Sequence, residues 1–408
     1  MTRLLVLGGG RHQVPLIERA QSRGVDVVMV DYLVDAPGRS VATFPELADA
    51  TDSDAAIRIA KEYDVDGVIT TGTDIPLRAM AAVAEALELP RYLSSGAAHS
   101  ATDKEAMHKA LREAGVQMAN RAVVGSDDAS IDFDTLPVVV KPADSQGQRG
   151  ITLVSRRDRI SEAVSKALSS SRTGRVVIEE YLSGPEFTAN AWIEDHRVAL
   201  LMVNDRVTFN PGPSLGIAFQ HRYPSQAAAG WMGEVESMTK DVAIAYGLEQ
   251  GPLYIQMITT DHGPVVVEAA ARIGGGHESR MLLTLNRWST DDALIDLALG
   301  IRPAPPPTLP ETAHVLVNFV LGSAGEVDRL VEPELTEGVV ESSWYVGPGT
   351  RLADVVDSLG RVGYFVAEAT STEQLVNRAA EFYATLELPS VEGKNLVHIP
   401  DPALLNLP

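Results

Sequence analysis

Residues 4–74 alternate strand and helix signals in an order that few folds can accommodate. LLVLGGG (4–10) reads as a buried strand closed by a glycine turn, and VPLIERAQSRG (14–24) has helical spacing and a glycine stop. VDVVMVDY (25–32) is again a strand run, AAIRIAKEYD (55–64) a helix, and VDGVITTGTD (65–74) a strand and turn. Strands that alternate with crossover helices build a parallel α/β sheet of Rossmann type. Asp31 lies about 20 residues past the glycines, where a dinucleotide-binding chain carries its ribose acid. Gln13 stands at the last glycine position of that fingerprint, and a partial fingerprint is weak ground for a nicotinamide cofactor.

Length and composition narrow the classes further. A chain of 408 residues has room for two or three domains, and its 45% hydrophobic and 22% charged content suits an ordinary globular protein. Arg3 precedes only a short apolar run, which breaks at Gly8-Gly9-Gly10, so no secretory leader is expected. No apolar stretch is long enough to span a bilayer. There is no cysteine, which rules out disulfides, thiolate metal sites and cysteine nucleophiles. A cytoplasmic location is expected. The formal net charge of −21 disfavours nucleic acid and anionic membranes as partners. Against it, cation pairs such as Lys141/Arg149 and Arg272/Arg280 stand out as anion sites or as neutralisers of nearby carboxylates.

VVVKPADSQGQRGITLV (138–154) is a strand carrying Lys141, a polar loop with Gly147 and Gly150, and a second strand from Ile151. Glycines let successive N–H groups converge on an anion. The loop lacks the G-K-[ST] ending of a Walker motif and leads into a strand, so it reads as a lid over phosphates or as a simple hairpin. RVVIEEYLSGPEFTANAWI (175–193) is a strand, a bend and a strand, reading as an adenine hinge at Glu179–Leu182 or as a solvated acidic edge. Glu186 follows the bend, placed to accept from ribose hydroxyls.

GPLYIQMITTDHGPVVVEAAARIGGGHES (251–279) carries the most chemistry. A hairpin turning near His262 sets Gln256 opposite Glu268, and opposed residues share a face. Strand period extends that face through Ala270 to Arg272. A carbonyl beside a carboxylate suits Mg²⁺, which takes few protein oxygens. Arg272, next to Gly274-Gly275-Gly276, could hold a phosphoryl group or a substrate carboxylate. The alternative is a Glu268–Arg272 pair that stabilises a strand end. A helix over 103–115, capped by Asp103, another over 289–300, and one at 372–386 are also expected, with a proline-rich linker at 301–311. There is no GxSxG elbow, and HESRM (277–281) lacks the second histidine of HExxH.

In order, these segments resemble the ATP-grasp superfamily over nearly the whole chain, and EAAARIGGG is similar to the branch of L-amino acid (dipeptide) ligases. The resemblance implies an α/β and α+β multidomain fold. Residues 1–100 would form the N-terminal Rossmann-like domain and 101–302 the ATP-grasp domain, with a lid subdomain at about 120–185. A linker at 303–311 and a small C-terminal α+β subdomain at 312–408 would complete it. It implies ATP contacts at Lys104, Lys141, Ser145, Gln146, Gly147, Glu179, Glu180, Tyr181, Leu182 and Glu186, and Mg²⁺ (or Mn²⁺) at Gln256 and Glu268. Arg272 and Lys141 would be catalytic, and His221, Arg272, Gly274, Gly275, Gly276 and His277 would meet substrate. Residues 205–230, with Phe219, His221 and Arg222, are expected to line the acceptor pocket. Many relatives have asparagine at Ala270 and an acid at Gln256, which bears on a second metal ion.

The implied activity is an ATP-dependent carboxylate–amine ligase with small-molecule acid and amine substrates, and a homodimer is its expected assembly. The competing expectations are a bicarbonate-activating carboxylase of the biotin or purine-pathway type, and a nucleotide-binding regulatory protein.

Overall fold

The computed structural model describes residues 2–125, 136–143, 150–171, 173–209, 216–310 and 312–398. The first strands are β1 (Arg3–Leu7), β2 (Asp26–Asp31), β3 (Phe44–Leu47) and β4 (Gly67–Ile69). They form a parallel sheet in the order β3-β2-β1-β4. Leu4 to Leu7 and Val27 to Val30 are fully buried, as expected of strands covered on both faces. Helices α1 (Val14–Ser22), α2 (Ser53–Glu62) and α3 (Leu77–Ala86) follow the strands, and α4 (Ser95–Thr102) and α5 (Lys104–Glu113) lead out of the unit. Asp31 closes the glycine turn: its carboxylate accepts the N–H groups of Gly9 at 2.7 Å and Leu33 at 2.9 Å.

The second sheet is antiparallel, with β5 (Arg121–Gly125), β6 (Val138–Pro142), β7 (Thr152–Val154) and β8 (Arg175–Glu180) in the order β5-β8-β6-β7. Helix α6 (Ile160–Ser169) covers it through Ile160, Ala163 and Ala167, which pack on Val138, Val140 and Ile178.

The third sheet has nine strands. Its first members are β9 (Glu186–Glu194), β10 (Arg197–Phe209), β11 (Ile217–Tyr223), β12 (Gly251–Thr260) and β13 (Gly263–Ala270). The helices between and after them are α7 (Met232–Ala245), α8 (Glu278–Asn286) and α9 (Thr290–Ala298). Beyond the proline-rich segment come β14 (His314–Gly322), β15 (Gly325–Glu326), β16 (Val339–Trp344), β17 (Arg351–Leu352), β18 (Arg361–Ala369), α10 (Thr372–Thr385) and β19 (Val397–His398). The order is β13-β12-β9-β10-β11-β14-β18-β16, with β19 beside β14 and the short pair β15-β17 apart. β14 pairs with β11, His221 opposite Val317, so the strands after the linker extend the same sheet. Helix α10 packs Leu375, Ala379 and Phe382 on this extension, giving it its own core.

Helix α9 folds back onto the first unit. Its carbonyl at Ala298 lies so close to Gly67 on β4 that any side chain there would collide with it. Arg19 and Arg23 on α1 pair with Asp292 at 2.8 and 3.2 Å, and Arg23 also pairs with Asp296. No helix among the described residues is long and apolar enough to cross a membrane.

Candidate active site

The second and third sheets border a cleft of about 620 Å³. Asp103 starts α5 by accepting the N–H groups of Glu105 and Ala106, which aims Lys104 at β13. Lys104 Nζ lies 2.9 Å from Glu268 Oε1. That cation, against the opposing effect of burial, holds the Glu268 carboxyl at about 2. Lys141 on β6 pairs in turn with Glu179 on the adjacent β8.

Gln256 and Glu268 are register partners, as the hairpin reading expects, and both line the cleft. Gln256 donates its amide to Glu186 at 2.9 Å, and Arg206 pairs with the same carboxylate. Arg206 was not singled out from the sequence. It follows Asn204 and Asp205 in a polar stretch of β10, which gave it no distinct signal. An ionised carboxylate and a neighbouring amide oxygen fit Mg²⁺, whose remaining positions go to phosphate and water. Among the described residues no group of three His, Asp or Glu side chains could hold a metal unaided.

Glu179, Glu180, Tyr181 and Leu182 all border the cleft. The Glu180 and Tyr181 N–H groups, however, are donated to Asn120 and Pro137 carbonyls at 2.9 and 3.2 Å. The Glu180 carboxylate accepts from Asn120 Nδ2 at 2.8 Å. The open backbone expected across this hinge therefore narrows toward Leu182. Ser145, Gln146, Gly147 and Arg149 lie outside the described residues.

Arg272, expected to hold a phosphoryl group or a carboxylate or to pair with Glu268, has Asp74 as its partner. Strand β13 ends at Ala270, a turn follows, and the Arg272 guanidinium pairs with Asp74 of the first unit and stacks 4.8 Å from the Tyr254 ring centre. Burial alone would lower its pKa, but Asp74 carries it above the ordinary value. Neither Arg272 nor Tyr254, the register partner of Ala270, lines the cleft.

The three glycines after it are likewise filled by protein. A side chain on Gly274 would strike the Glu278 carboxylate, on Gly275 the Gly72 carbonyl, and on Gly276 the His221 ring. The run permits close packing on the side where a Cβ would stand, and Gly275 keeps partial exposure. His277 takes a left-handed conformation (φ 62°) to start α8. Its Nε2 meets the Tyr345 hydroxyl, and its ring stacks on Tyr364 at 4.0 Å and lies 4.9 Å from His12. His221 is buried, 3.0 Å from the Asn204 amide and 3.5 Å from Glu278. Burial pushes its pKa down to about 4. Arg222 pairs with Asp205 at the cleft. Phe219 is corrected: it is fully buried in the core under α10, 6.0 Å from Tyr383, and does not line the cleft. It stands at the β-bulge of the β10–β11 pairing, where Gln220 and Ala218 have partners and Phe219 has none.

Residues 134–280 match the ATP-grasp domain family. The cleft between two antiparallel sheets, with paired lysines and carboxylates facing it, is lined largely from this segment, and the chain carries an ATP-grasp domain. More particularly, residues 319–388 match L-amino acid ligase C-terminal domain 2. The chain is 24% identical to the phosphoribosylamine–glycine ligase of Lactococcus lactis over 408 residues, covering 92% of this chain and 94% of that protein. The L-amino acid ligase structure from Bacillus licheniformis superposes with a TM-score of 0.80 at 18% identity, covering 96% of this chain and 99% of that one. The biotin carboxylase domain of the Hydrogenobacter thermophilus 2-oxoglutarate carboxylase shares the fold with a TM-score of 0.75 at 16% identity, covering 100% of this chain and 93% of that one.

Proposed function

We propose that this ligase joins a carboxylate to an amine, with an amino acid among its substrates, through an acyl phosphate. The carrying observation is the C-terminal L-amino acid ligase domain, whose strands extend the sheet that holds Gln256 and Glu268. In this reading the substrate carboxylate attacks the γ-phosphorus of ATP, ADP leaves, and the amine displaces phosphate from the acyl carbon. Phosphoryl transfer needs position and charge neutralisation more than covalent help. Lys104 and Lys141 supply cations to the phosphates by exchanging their present partners, Glu268 and Glu179. Gln256 and Glu268 would hold Mg²⁺, which when bound neutralises charge across the β- and γ-phosphates. Glu186, fixed by Arg206 and Gln256, faces the ribose. Arg272, locked by Asp74, acts by holding Tyr254 and the turn in place.

The test is to supply ATP, Mg²⁺ and single amino acids with hydroxylamine present. A hydroxamate formed with ADP, and suppressed when the right amine is added, is the expected result. ADP release that depends on bicarbonate, with every amino acid inert, would replace the reading by a carboxylase. Nucleotide binding with no ADP under any of these conditions would replace it by a regulatory protein.

A further inference from the structure

Two arginines where the first unit meets the far part of the third sheet have no carboxylate partner among the described residues. Arg361, at the start of β18, donates Nη2 to the Ala218 carbonyl at 2.8 Å and lies 3.8 Å from the Phe319 ring centre. Its Nε is buried and bonded to nothing. Arg11, from the turn before α1, rests 4.6 Å from the Tyr345 ring centre and donates to the Tyr345 carbonyl. Tyr345 donates its own N–H to Val362, beside Arg361, so the two guanidinium groups flank one tyrosine. The other arginines of this layer are neutralised: Arg206 by Glu186, Arg272 by Asp74, Arg222 by Asp205 and Arg280 by Glu341.

The neighbouring histidines add no charge. Burial above all keeps His12 at about 4 and His277 well below its ordinary value. Burial, and then Arg206, lowers Arg361 itself to about 10, so it stays a cation in neutral solution. A desolvated cation without a partner is destabilising. It is tolerable where a ligand brings the missing anion. The place suits a substrate: Ala218, which receives Arg361, is two residues from Gly216, which receives Arg206 at the cleft. At the rise of extended chain that is about 7 Å. Arg361, His12 and Tyr345 each keep partial exposure, so the site opens to solvent.

We propose that Arg361, with Arg11 at its mouth, anchors the anionic end of the amine-donating substrate, and that this end is the carboxylate of an amino acid. The assignment rests on the ligase reading above. With Nη2 donating to Ala218, the Nε–H and the remaining guanidinium N–H groups are the donors left to meet the oxygens of a carboxylate. A phosphate on a sugar amine would offer related chemistry, and the experiment separates the two.

Calorimetric titration of the full chain, loaded with a non-hydrolysable ATP analogue, uses each common L-amino acid, the corresponding amide, and inorganic phosphate. An amino acid should bind and its amide should not. Arg361→Met, which keeps the stack on Phe319, should weaken that binding about tenfold to a hundredfold. Arg361→Lys, which keeps charge without the fork, should fall between. The nucleotide analogue should bind all three proteins alike, which shows that the variants fold. The melting point of Arg361→Met should equal or exceed that of the wild type, whereas a structural arginine would lower it. Arg361-dependent binding of phosphate alone would keep the anchor and overturn the carboxylate. Equal amino-acid affinity in wild type and Arg361→Met, or no anion binding by a wild type that holds nucleotide, would overturn the anchor. Arg361-dependent binding without ADP or hydroxamate would instead overturn the ligase reading and leave the anchor standing.

Discussion

Glu268 and Lys104 hold each other in a state that neither would keep alone. Burial by itself would lower the Lys104 pKa, and Glu268 raises it instead; Lys104 in turn holds Glu268 ionised. Binding a phosphate and a divalent cation asks both to change partners without losing charge. Glu268→Gln should therefore cut ADP formation about a hundredfold or more, since a bound metal contributes several kcal/mol of charge stabilisation. The same substitution strands Lys104 and should lower the melting point. Lys104→Met in the Glu268→Gln background should recover the melting point and not the activity. Steady-state ADP assays and thermal melts on the two single variants and the double variant give the coupling directly. Near-normal turnover in Glu268→Gln with only a lower melting point would reduce the pair to a structural role.

At the scale of elements, the tightest constraint is the seat of α9 on β4. Gly67 lies against the Ala298 carbonyl, with backbone on both sides and no flexible group to give way. Gly67→Ala should destabilise the protein by about 1–3 kcal/mol through forced backbone shifts. The readout is the urea midpoint, with nucleotide affinity retained because the cleft lies on the other sheets; an unchanged midpoint would mean α9 is free to slide. This contact also shows where sequence reasoning ran out. Hairpin β12–β13 was legible as two apolar runs about a turn near His262, although the turn alone would set Gln256 opposite Val267 and a bulge after Gln256 brings Glu268 there. Helices α5 and α9 were legible because Asp103 and Ser289 are caps. Strand β14 was legible, after its first residue, as an apolar run broken only by Asn318. Helices α3 and α4, rich in alanine, have too little polar contrast to show a face. Helix α8 starts from a left-handed histidine, which carries no capping signal. In the site, Gln256 and Glu268 share one hairpin and could be paired from the sequence, but Asp74 against Arg272 spans 198 residues and could not. The same distance hid the role of the glycine run, which looks open in sequence and is packed by Glu278, Gly72 and His221.

Across the whole molecule, the first unit meets the third sheet through a layer of neutral histidines, His221 and His277 buried and His12 partly exposed. His12 comes from one side, and His221 and His277 from the other. Burial is the main cause of each depressed pKa. Because the folded values lie below the unfolded one, the unfolded chain takes up protons first as the pH falls. The stability these residues contribute is complete above about pH 6.5 and is lost progressively toward pH 4. For His221, a fall from 6.5 to about 4 corresponds to roughly 3 kcal/mol at most. Glu268 acts in a lower window. Its folded pKa of about 2 lies under the unfolded value of 4.5, so its contribution holds until the pH drops below that value. Urea midpoints measured from pH 8 to pH 4 should thus decline steeply between 6.5 and 4, before carboxylate protonation begins to dominate. His221→Asn, which keeps a polar group near Asn204 and Glu278 but cannot take up the proton, should flatten that decline. At pH 8 it should cost only the packing it loses. A His221→Asn profile parallel to the wild type through this range would show that the histidine layer does not set the acid limit of the fold.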